Sequence, residues 1–242
     1  MNLALKEMAI RTRTVSTGSN AIDALLGGGV HTGMLTDLYG ESGSGKSQMC
    51  FTLCSNCVRE GSTAFFIDTV GTFRPERIME ISGMHEALES ITYLRALTTS
   101  DQIKAIYKIL EMDPLLVIVD SLTSLFSTEF SGPARHLAIM RYLHKLAHLA
   151  LSMNCAVVVT NMVRNVPITI VDQAGRNVAN AIVPSQQREY LGSSVSIYSH
   201  MRVKLEIIDI TKSAFQAILL QPPGRGSASF AINARGITDQ RV

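Results

Sequence analysis

The sequence predicts an α/β fold in which a mainly parallel central sheet is flanked by helices and carries antiparallel strands at its C-terminal end. Between residues 19 and 163, short apolar runs alternate with longer amphipathic segments. Parallel neighbouring strands need such crossover segments between them. The runs at 116–119 and 156–159 are apolar at successive positions, which is typical of strands covered on both faces.

The predicted elements follow one another in a regular order. The segment SNAIDALL, closed by Gly27, predicts a short capped helix. Further helices are predicted near 46–60, 75–82, 101–112 and 134–153, and strands at 34–39, 62–68, 91–97, 115–120 and 155–160. The segments HMRVKLEIIDI, AFQAILL and SASFAIN predict antiparallel strands. Residues 164–194 carry no clear period, and loops of that length are more often functional or mobile than idle.

Composition excludes several classes of protein. Of the 242 residues, 46% are hydrophobic and 17% charged, which excludes a disordered tail, a coiled coil and a collagen-like repeat. The formal charge of +2 is too small for a polybasic binder, so any anionic partner must meet a local patch. No apolar run reaches the ~18 residues of a membrane span, and Lys6 and Glu7 interrupt any signal-peptide core. We expect a cytoplasmic protein with one domain at 15–242 and an N-terminal extension at 1–14.

A phosphate-binding loop is predicted at residues 40–47, between a strand and a helix. The octet GESGSGKS has two glycines flanking four residues, followed by Lys and Ser. Glycine lets successive backbone N–H groups point at phosphate oxygens, and the helix N-terminus adds its positive end. The octet predicts that the chain binds a nucleoside triphosphate or descends from one that did. The predicted nucleotide-binding residues are Gly40, Glu41, Ser42, Gly43, Ser44, Gly45, Lys46, Ser47 and Gln48.

A carboxylate at the end of the strand LLVIVD completes this prediction. Asp120 would lie at the carboxyl edge of a buried parallel strand, where ligands bind in open α/β sheets. A carboxylate there can hold Mg²⁺ opposite the phosphate loop, and the Ser47 hydroxyl can be a second ligand. The sequence therefore predicts Ser47 and Asp120 as the Mg²⁺ ligands.

Five segments resemble, in order and spacing, the core of the RecA/RadA recombinase superfamily. They are GESGSGKSQMCFTLC, FFIDTVGTFRPERI, LLVIVDSLTSLFSTEFSG, AVVVTNMV and SFAINARGITD. The resemblance runs from about Val15 to Asp239 and is greatest to the short archaeal RadB-type branch, which lacks the N-terminal helical DNA-binding domain. It implies a RecA-like P-loop core, with Arg77 along the base of ATP. Two loops, at 127–135 and 163–187, would face single-stranded or junction DNA through Arg135, Arg164 and Arg176, and a full-length recombinase would be the protein partner.

The sequence departs from the superfamily at two hydrolysis positions. Val70 stands where active members have a glutamate that polarises the attacking water, and Met162 where they have a phosphate-sensing glutamine. No catalytic residue is therefore assigned. Asp68 is a possible substitute base, but is better explained as ending its strand and aiding Mg²⁺ hydration. These departures predict an ATP-gated mediator with weak or no hydrolysis rather than a strand-exchange motor.

Long filaments are not expected. No Phe-x-x-Ala segment precedes the core, and Leu219 and Leu220 replace the acidic cap that the resemblance implies. Two alternative functions remain open from the sequence: a circadian-clock-like ATPase or phosphotransferase, and an ATP-stabilised interaction subunit that does not touch DNA. Core packing explains Cys54 and Cys57 better than a zinc site does, because no second cysteine pair exists. His144 and His148 are assigned to a solvated helix face.

Overall fold

The apolar strand segments assemble into one large mixed sheet, in a computed structural model that describes residues 12–166, 186–224 and 226–240. The helices are α1 (Asn20–Leu26), α2 (Lys46–Arg59), α3 (Pro75–Ser82), α4 (Thr99–Met112), α5 (Ser124–Glu129), α6 (Gly132–Met153) and α7 (Gly192–Tyr198), with a 3₁₀ helix at His85–Ser90. The strands are β1 (Thr14–Val15), β2 (Val30–His31), β3 (Leu35–Gly40), β4 (Ala64–Asp68), β5 (Ile91–Arg95), β6 (Leu116–Asp120), β7 (Ala156–Val166), β8 (Gln186–Glu189), β9 (Met201–Asp209), β10 (Ala214–Gln221), β11 (Ser227–Asn233) and β12 (Gly236–Asp239). None of the helices in these ranges combines the length and apolar character needed to cross a membrane.

The sheet has the predicted combination of a parallel core and an antiparallel C-terminal end. Its strand order is β12-β11-β10-β9-β3-β7-β6-β4-β5, and β8 pairs with β7 beside that path. All pairs from β9 to β5 are parallel, whereas the pairs linking β9 to β12 are antiparallel. The α/β architecture of a RecA-like core is therefore confirmed.

Burial on both faces explains the continuous apolar runs. Along β6, Leu116 and Ile118 join the hydrophobic cluster beneath α2, while Val117 and Val119 join the cluster beneath α4 and α6. The same alternation continues in the neighbouring β7. Because side chains alternate across a strand, a sheet with helices on both faces needs apolar residues at every position.

The first helix and the last strand are joined by one carboxylate. Ser19 caps α1 by accepting the Ile22 amide, and its hydroxyl also donates to Asp239 at 2.5 Å. The same Asp239 oxygen accepts the Ala21 amide at 3.0 Å. The C-terminal strands thus pack against the beginning of the described chain. Residues 1–11 of the predicted extension 1–14 lie outside the described residues.

The structure corrects the sequence interpretation in one region. The strand predicted at 155–160 runs from Ala156 to Val166, and its end pairs antiparallel with β8. The irregular stretch interpreted at 164–194 ends inside α7, a helix that the sequence did not predict. The pairing joins segments about twenty residues apart, so no local periodicity could reveal it. The short helix α5, the 3₁₀ helix and β12 were also not predicted, and β9 is parallel to β3 although it was expected among the antiparallel strands.

Candidate nucleotide-binding site

The phosphate loop follows β3 and ends at the first turn of α2, as the sequence predicts. Gly43 and Gly45 have φ values of 82° and 95°, in the left-handed region that favours glycine. A Cβ at Gly40 would collide with the Leu205 carbonyl oxygen and the Ser44 hydroxyl. The loop borders a cleft of about 290 Å³. These glycines therefore allow a tight backbone curve beside a cavity near the small end of the range for small-molecule sites.

Lys46 lies in the cleft with its ammonium group turned onto the loop itself. Its Nζ donates to the carbonyl oxygens of Gly40 at 2.9 Å and Glu41 at 2.6 Å. Burial lowers the pKa of Lys46, although the nearby Asp120 carboxylate opposes this shift. A partly desolvated cation held by neutral carbonyls can bind an anion strongly, because little further desolvation is needed.

The side chains of Ser47 and Asp120 form the pair predicted for Mg²⁺. The Ser47 hydroxyl donates to Asp120 Oδ2 at 2.7 Å, and both residues line the cleft. The hydroxyls of Thr72 and Thr160 also donate to this carboxylate. A carboxylate ringed by hydroxyl oxygens is a hard oxygen donor set, which suits Mg²⁺ with its retained waters. The residues present therefore fit the ion, and Ser47 and Asp120 would hold it; a bound Mg²⁺ would neutralise phosphate charge.

The two residues that replace the expected hydrolysis groups both line this cleft. Val70 and Met162 are each 49% exposed, and Ile232 adds a third apolar side chain to the lining. Neither an aliphatic side chain nor a thioether can accept the proton of an attacking water. The cleft thus combines a polar phosphate loop with an apolar wall.

Arg77 lies beside the cleft and does not line it. Its guanidinium donates to Gln48 Oε1 at 2.9 Å, to Glu80, and to the carbonyls of Asn233 and Ala234 in the β11–β12 turn. Gln48 itself lines the cleft. Arg77 therefore ties α2, α3 and the β11–β12 turn together, and its contact with the base of ATP stays a prediction.

Asp68 is the anchor of the loop that carries Val70. Its carboxylate accepts the amides of the next residues, 70–73, and an ion pair from Arg95 at 3.0 Å. Burial alone would raise its pKa, but the amide hydrogen bonds outweigh burial and lower it. These contacts disfavour Asp68 as a substitute base, because its side chain is 1% exposed and its oxygens are engaged. It ends β4, as expected, but it does not line the cleft.

Replacing Asp68 with asparagine is expected to lower the free energy of unfolding by about 3 kcal/mol, because buried donors lose an ionised acceptor. The lowered pKa means that the carboxylate stabilises the fold above its unfolded pKa of about 3.9. That contribution is lost as the pH falls through the lower folded pKa. Urea unfolding at pH 7 and pH 3 measures both effects, with Glu111→Gln at an exposed position of α4 as the control. An equal loss at both pH values would contradict this role.

Two of the three arginines predicted to contact DNA meet at one aromatic ring. The guanidinium carbons of Arg135 and Arg164 lie 5.8 and 5.5 Å from the centroid of the Tyr190 ring. Arg135 also donates to the Tyr190 hydroxyl and to the Phe130 carbonyl. Arg135 lies in the first turn of α6 and Arg164 near the end of β7, so Tyr190 joins the two loop regions. Arg176 lies outside the described residues.

Sequence reasoning missed a buried polar network behind this ring. Glu189 accepts a hydrogen bond from Arg202 and another from Asn161 Nδ2 at 2.8 Å. Arg202 also lies 3.5 Å from Asp37 on β3, and burial raises the pKa of Asp37. The network connects the strand before the phosphate loop with β7, β8 and β9. No spacing signal could have found it, because its members lie on four separate strands.

The cysteines expected in the core are buried, and the two histidines expected on a solvated helix face are exposed. All four cysteines are free thiols in the core, and burial raises the pKa of each. His144 and His148 are exposed on α6. Among the described residues, no group of three or more His, Cys, Asp or Glu side chains could hold a metal ion.

Comparison with known proteins identifies one family. The Rad51 family model matches residues 9–240. A maize protein described as DNA repair protein RAD51 homolog B is 40% identical over 168 residues, which are 62% of this chain and 49% of that protein.

Two further relatives extend the comparison. The DNA repair and recombination protein RadA of Cenarchaeum symbiosum is 36% identical over 70% of this chain and 47% of its own length. The DNA repair protein RAD51 homolog of Solanum lycopersicum is 31% identical over 93% of this chain and 69% of its own length. The chain spans about half the length of the first of these relatives.

Proposed function

This chain belongs to the Rad51 family of the RecA/RadA recombinase superfamily, and from that premise we propose that it is an ATP-binding and DNA-binding accessory protein of homologous recombination and DNA repair. It holds ATP with Mg²⁺ and hydrolyses it slowly or not at all. Binding of ATP, rather than its turnover, would switch the DNA-facing loops. Such a protein is a mediator and not a strand-exchange motor.

One observation carries this proposal: an intact phosphate loop faces a wall without a general base. Lys46, Ser47 and Asp120 retain the groups that bind phosphate and Mg²⁺, while Val70 and Met162 line the same cleft. Binding a polyphosphate requires donors and a cation, whereas hydrolysis also requires a group that orients and deprotonates water. Among the described residues that line the cleft, those for the first task are present and those for the second are not.

The loops beside Tyr190 support the DNA-binding part of the proposal. Arg135 and Arg164 bring two cations to one aromatic ring. Single-stranded nucleic acids bind where cations meet the phosphates and aromatic rings stack on the bases. The backbone amide of Tyr190 donates a hydrogen bond to the Met162 carbonyl at 2.8 Å. A movement of the cleft wall at Met162 can therefore shift the position of Tyr190.

The protein partner and the location belong to the same proposal. A full-length recombinase is the expected partner, and the likeness to the RadB-type branch stays a prediction. Free buried cysteines are typical of proteins in a reducing compartment, which favours the cytoplasm. Leu219 and Leu220 still disfavour long filaments, because apolar side chains cannot supply an acidic cap.

The affinity for single-stranded DNA is expected to rise when Mg–ATP is bound. It should also fall steeply with salt, because the release of cations from DNA drives binding. Arg135→Ala should weaken binding about tenfold at low salt, since it removes a phosphate contact and an arginine next to Tyr190. Arg59→Ala, which removes the same charge at the far end of α2, should change affinity less than twofold. Fluorescence anisotropy over a series of salt concentrations measures both variants.

Two results would contradict this function. Absence of DNA binding at low salt, with ATP binding intact, would leave an ATP-stabilised interaction subunit. Rapid release of phosphate, or transfer of phosphate to a residue of the protein, would favour the alternative ATPase or phosphotransferase.

A further inference from the structure

One buried hydroxyl on the wall of the nucleotide cleft has no hydrogen-bond partner. Ser121 is 5% exposed, its Oγ is unpaired, and the residue lines the cleft. Five other residues in the described part of the chain bury an unpaired side-chain atom, and none of them lines this cleft: His31, Thr36, Asp37, Gln102 and Tyr142. Leaving a buried hydroxyl unpaired costs about 1–3 kcal/mol, so each such group calls for an explanation.

The backbone of Ser121 is held firmly in place. The Thr69 hydroxyl donates to the Ser121 carbonyl at 2.8 Å and accepts the Ser121 amide at 2.8 Å. This reciprocal pair joins the ends of the neighbouring strands β4 and β6. Ser121 therefore borders the cleft from a fixed backbone position, and rotation about χ1 alone can turn its hydroxyl toward a bound ligand.

The other hydroxyls near Ser121 are already engaged. Ser47, Thr72 and Thr160 all donate to the Asp120 carboxylate. Val70 and Met162 supply no donor to the same cleft. The Ser121 hydroxyl is thus a buried donor that a ligand can use without first breaking a hydrogen bond within the protein.

The position of Ser121 in the sheet determines which part of a bound nucleotide its hydroxyl can contact. It follows β6, which is separated from β3 and its phosphate loop by β7. At a strand spacing of about 4.8 Å, the end of β6 lies about 10 Å across the sheet from the end of β3. The loop amides cradle the inner phosphates, so a group on the Asp120 side meets the outermost phosphate.

We propose that the Ser121 hydroxyl donates a hydrogen bond to the terminal phosphate of the bound nucleoside triphosphate and makes the cleft discriminate ATP from ADP. This inference rests on the proposed function, since it requires that the cleft binds ATP. It adds a specificity-determining contact that distinguishes the two nucleotides without hydrolysis. A chain that uses ATP as a switch needs this discrimination.

Removing the Ser121 hydroxyl should weaken the binding of the triphosphate more than the binding of the diphosphate. Calorimetry is used to measure Kd for Mg–AMP-PNP and Mg–ADP with the wild type, Ser121→Ala and the control Ser152→Ala. Ser152 is an exposed serine on α6, away from the cleft. Ser121→Ala should weaken AMP-PNP about tenfold, the loss expected for one hydrogen bond to a charged acceptor, and ADP less than twofold. Ser152→Ala should change neither Kd.

The nucleotide-free protein gives a second readout. Because Ser121→Ala removes an unpaired buried hydroxyl, its melting temperature should equal or exceed that of the wild type. A lower melting temperature would overturn the inference, because the hydroxyl would then have a partner within the protein. The inference would also be overturned if Ser121→Ala weakened the binding of both nucleotides equally, or weakened the binding of neither. If the wild type binds neither nucleotide, the proposed function itself fails, which is a different outcome.

Discussion

Lys46→Ala is expected to weaken Mg–ATP binding at least about 100-fold. The alanine removes the cation that lies against the phosphate loop, and each hydrogen bond from a cation to phosphate contributes about 1.5–3 kcal/mol. Calorimetry with Mg–ATP measures the loss of affinity. The gain in DNA affinity that ATP produces should disappear in the same variant.

The variant should remain folded, so the loss can be assigned to the site. Lys46 contacts carbonyl oxygens at the mouth of the loop, and the exposed loop residues Ser42 and Gly43 border it. Lys108→Ala, on the exposed face of α4, removes the same charge and should leave the Kd unchanged. Nucleotide affinity equal to that of the wild type in Lys46→Ala would mean that the loop no longer binds phosphate. DNA affinity that still responds to ATP would contradict the coupling.

The sequence could predict those parts of the fold that depend on residues close to one another along the chain. β6 was predicted because Leu116–Val119 are apolar at successive positions, and burial on both faces of a sheet requires that pattern. The phosphate loop was predicted because its chemistry needs glycines, a lysine and a serine at fixed spacing within one turn. In both cases the physical constraint acts on neighbours in sequence.

The features that sequence did not reveal depend on contacts between distant segments. The extension of β7 requires β8, and Tyr190 meets Arg135 only after β7, β8 and α6 have packed. The role of Asp68 could not be read from its position at a strand end. Its carboxylate could face the cleft or the following loop, and the amides of residues 70–73 favour the loop.

The apolar wall of the cleft predicts a gain of function. Val70→Glu combined with Met162→Gln is expected to raise ATP turnover about 100-fold, the lower range of what a positioned general base contributes. Both side chains are about half exposed, so the new polar groups need not be buried without water. The Kd for ATP should change only severalfold, since Lys46, Ser47 and Asp120 are untouched.

The role of the new carboxylate is tested by its closest neutral analogue. Val70→Gln with Met162→Gln has the same size and polarity but no base, and its turnover should stay at the wild-type rate. Phosphate release with and without single-stranded DNA measures turnover, and the rate of the glutamate variant should rise with pH through a pKa near 4.3. Equal rates in the two double variants would show that hydrolysis is limited by something other than a missing base. A gain confined to the glutamate variant means that this cleft still aligns the phosphate, the ion and water, and that its wall alone makes ATP a ligand instead of a substrate.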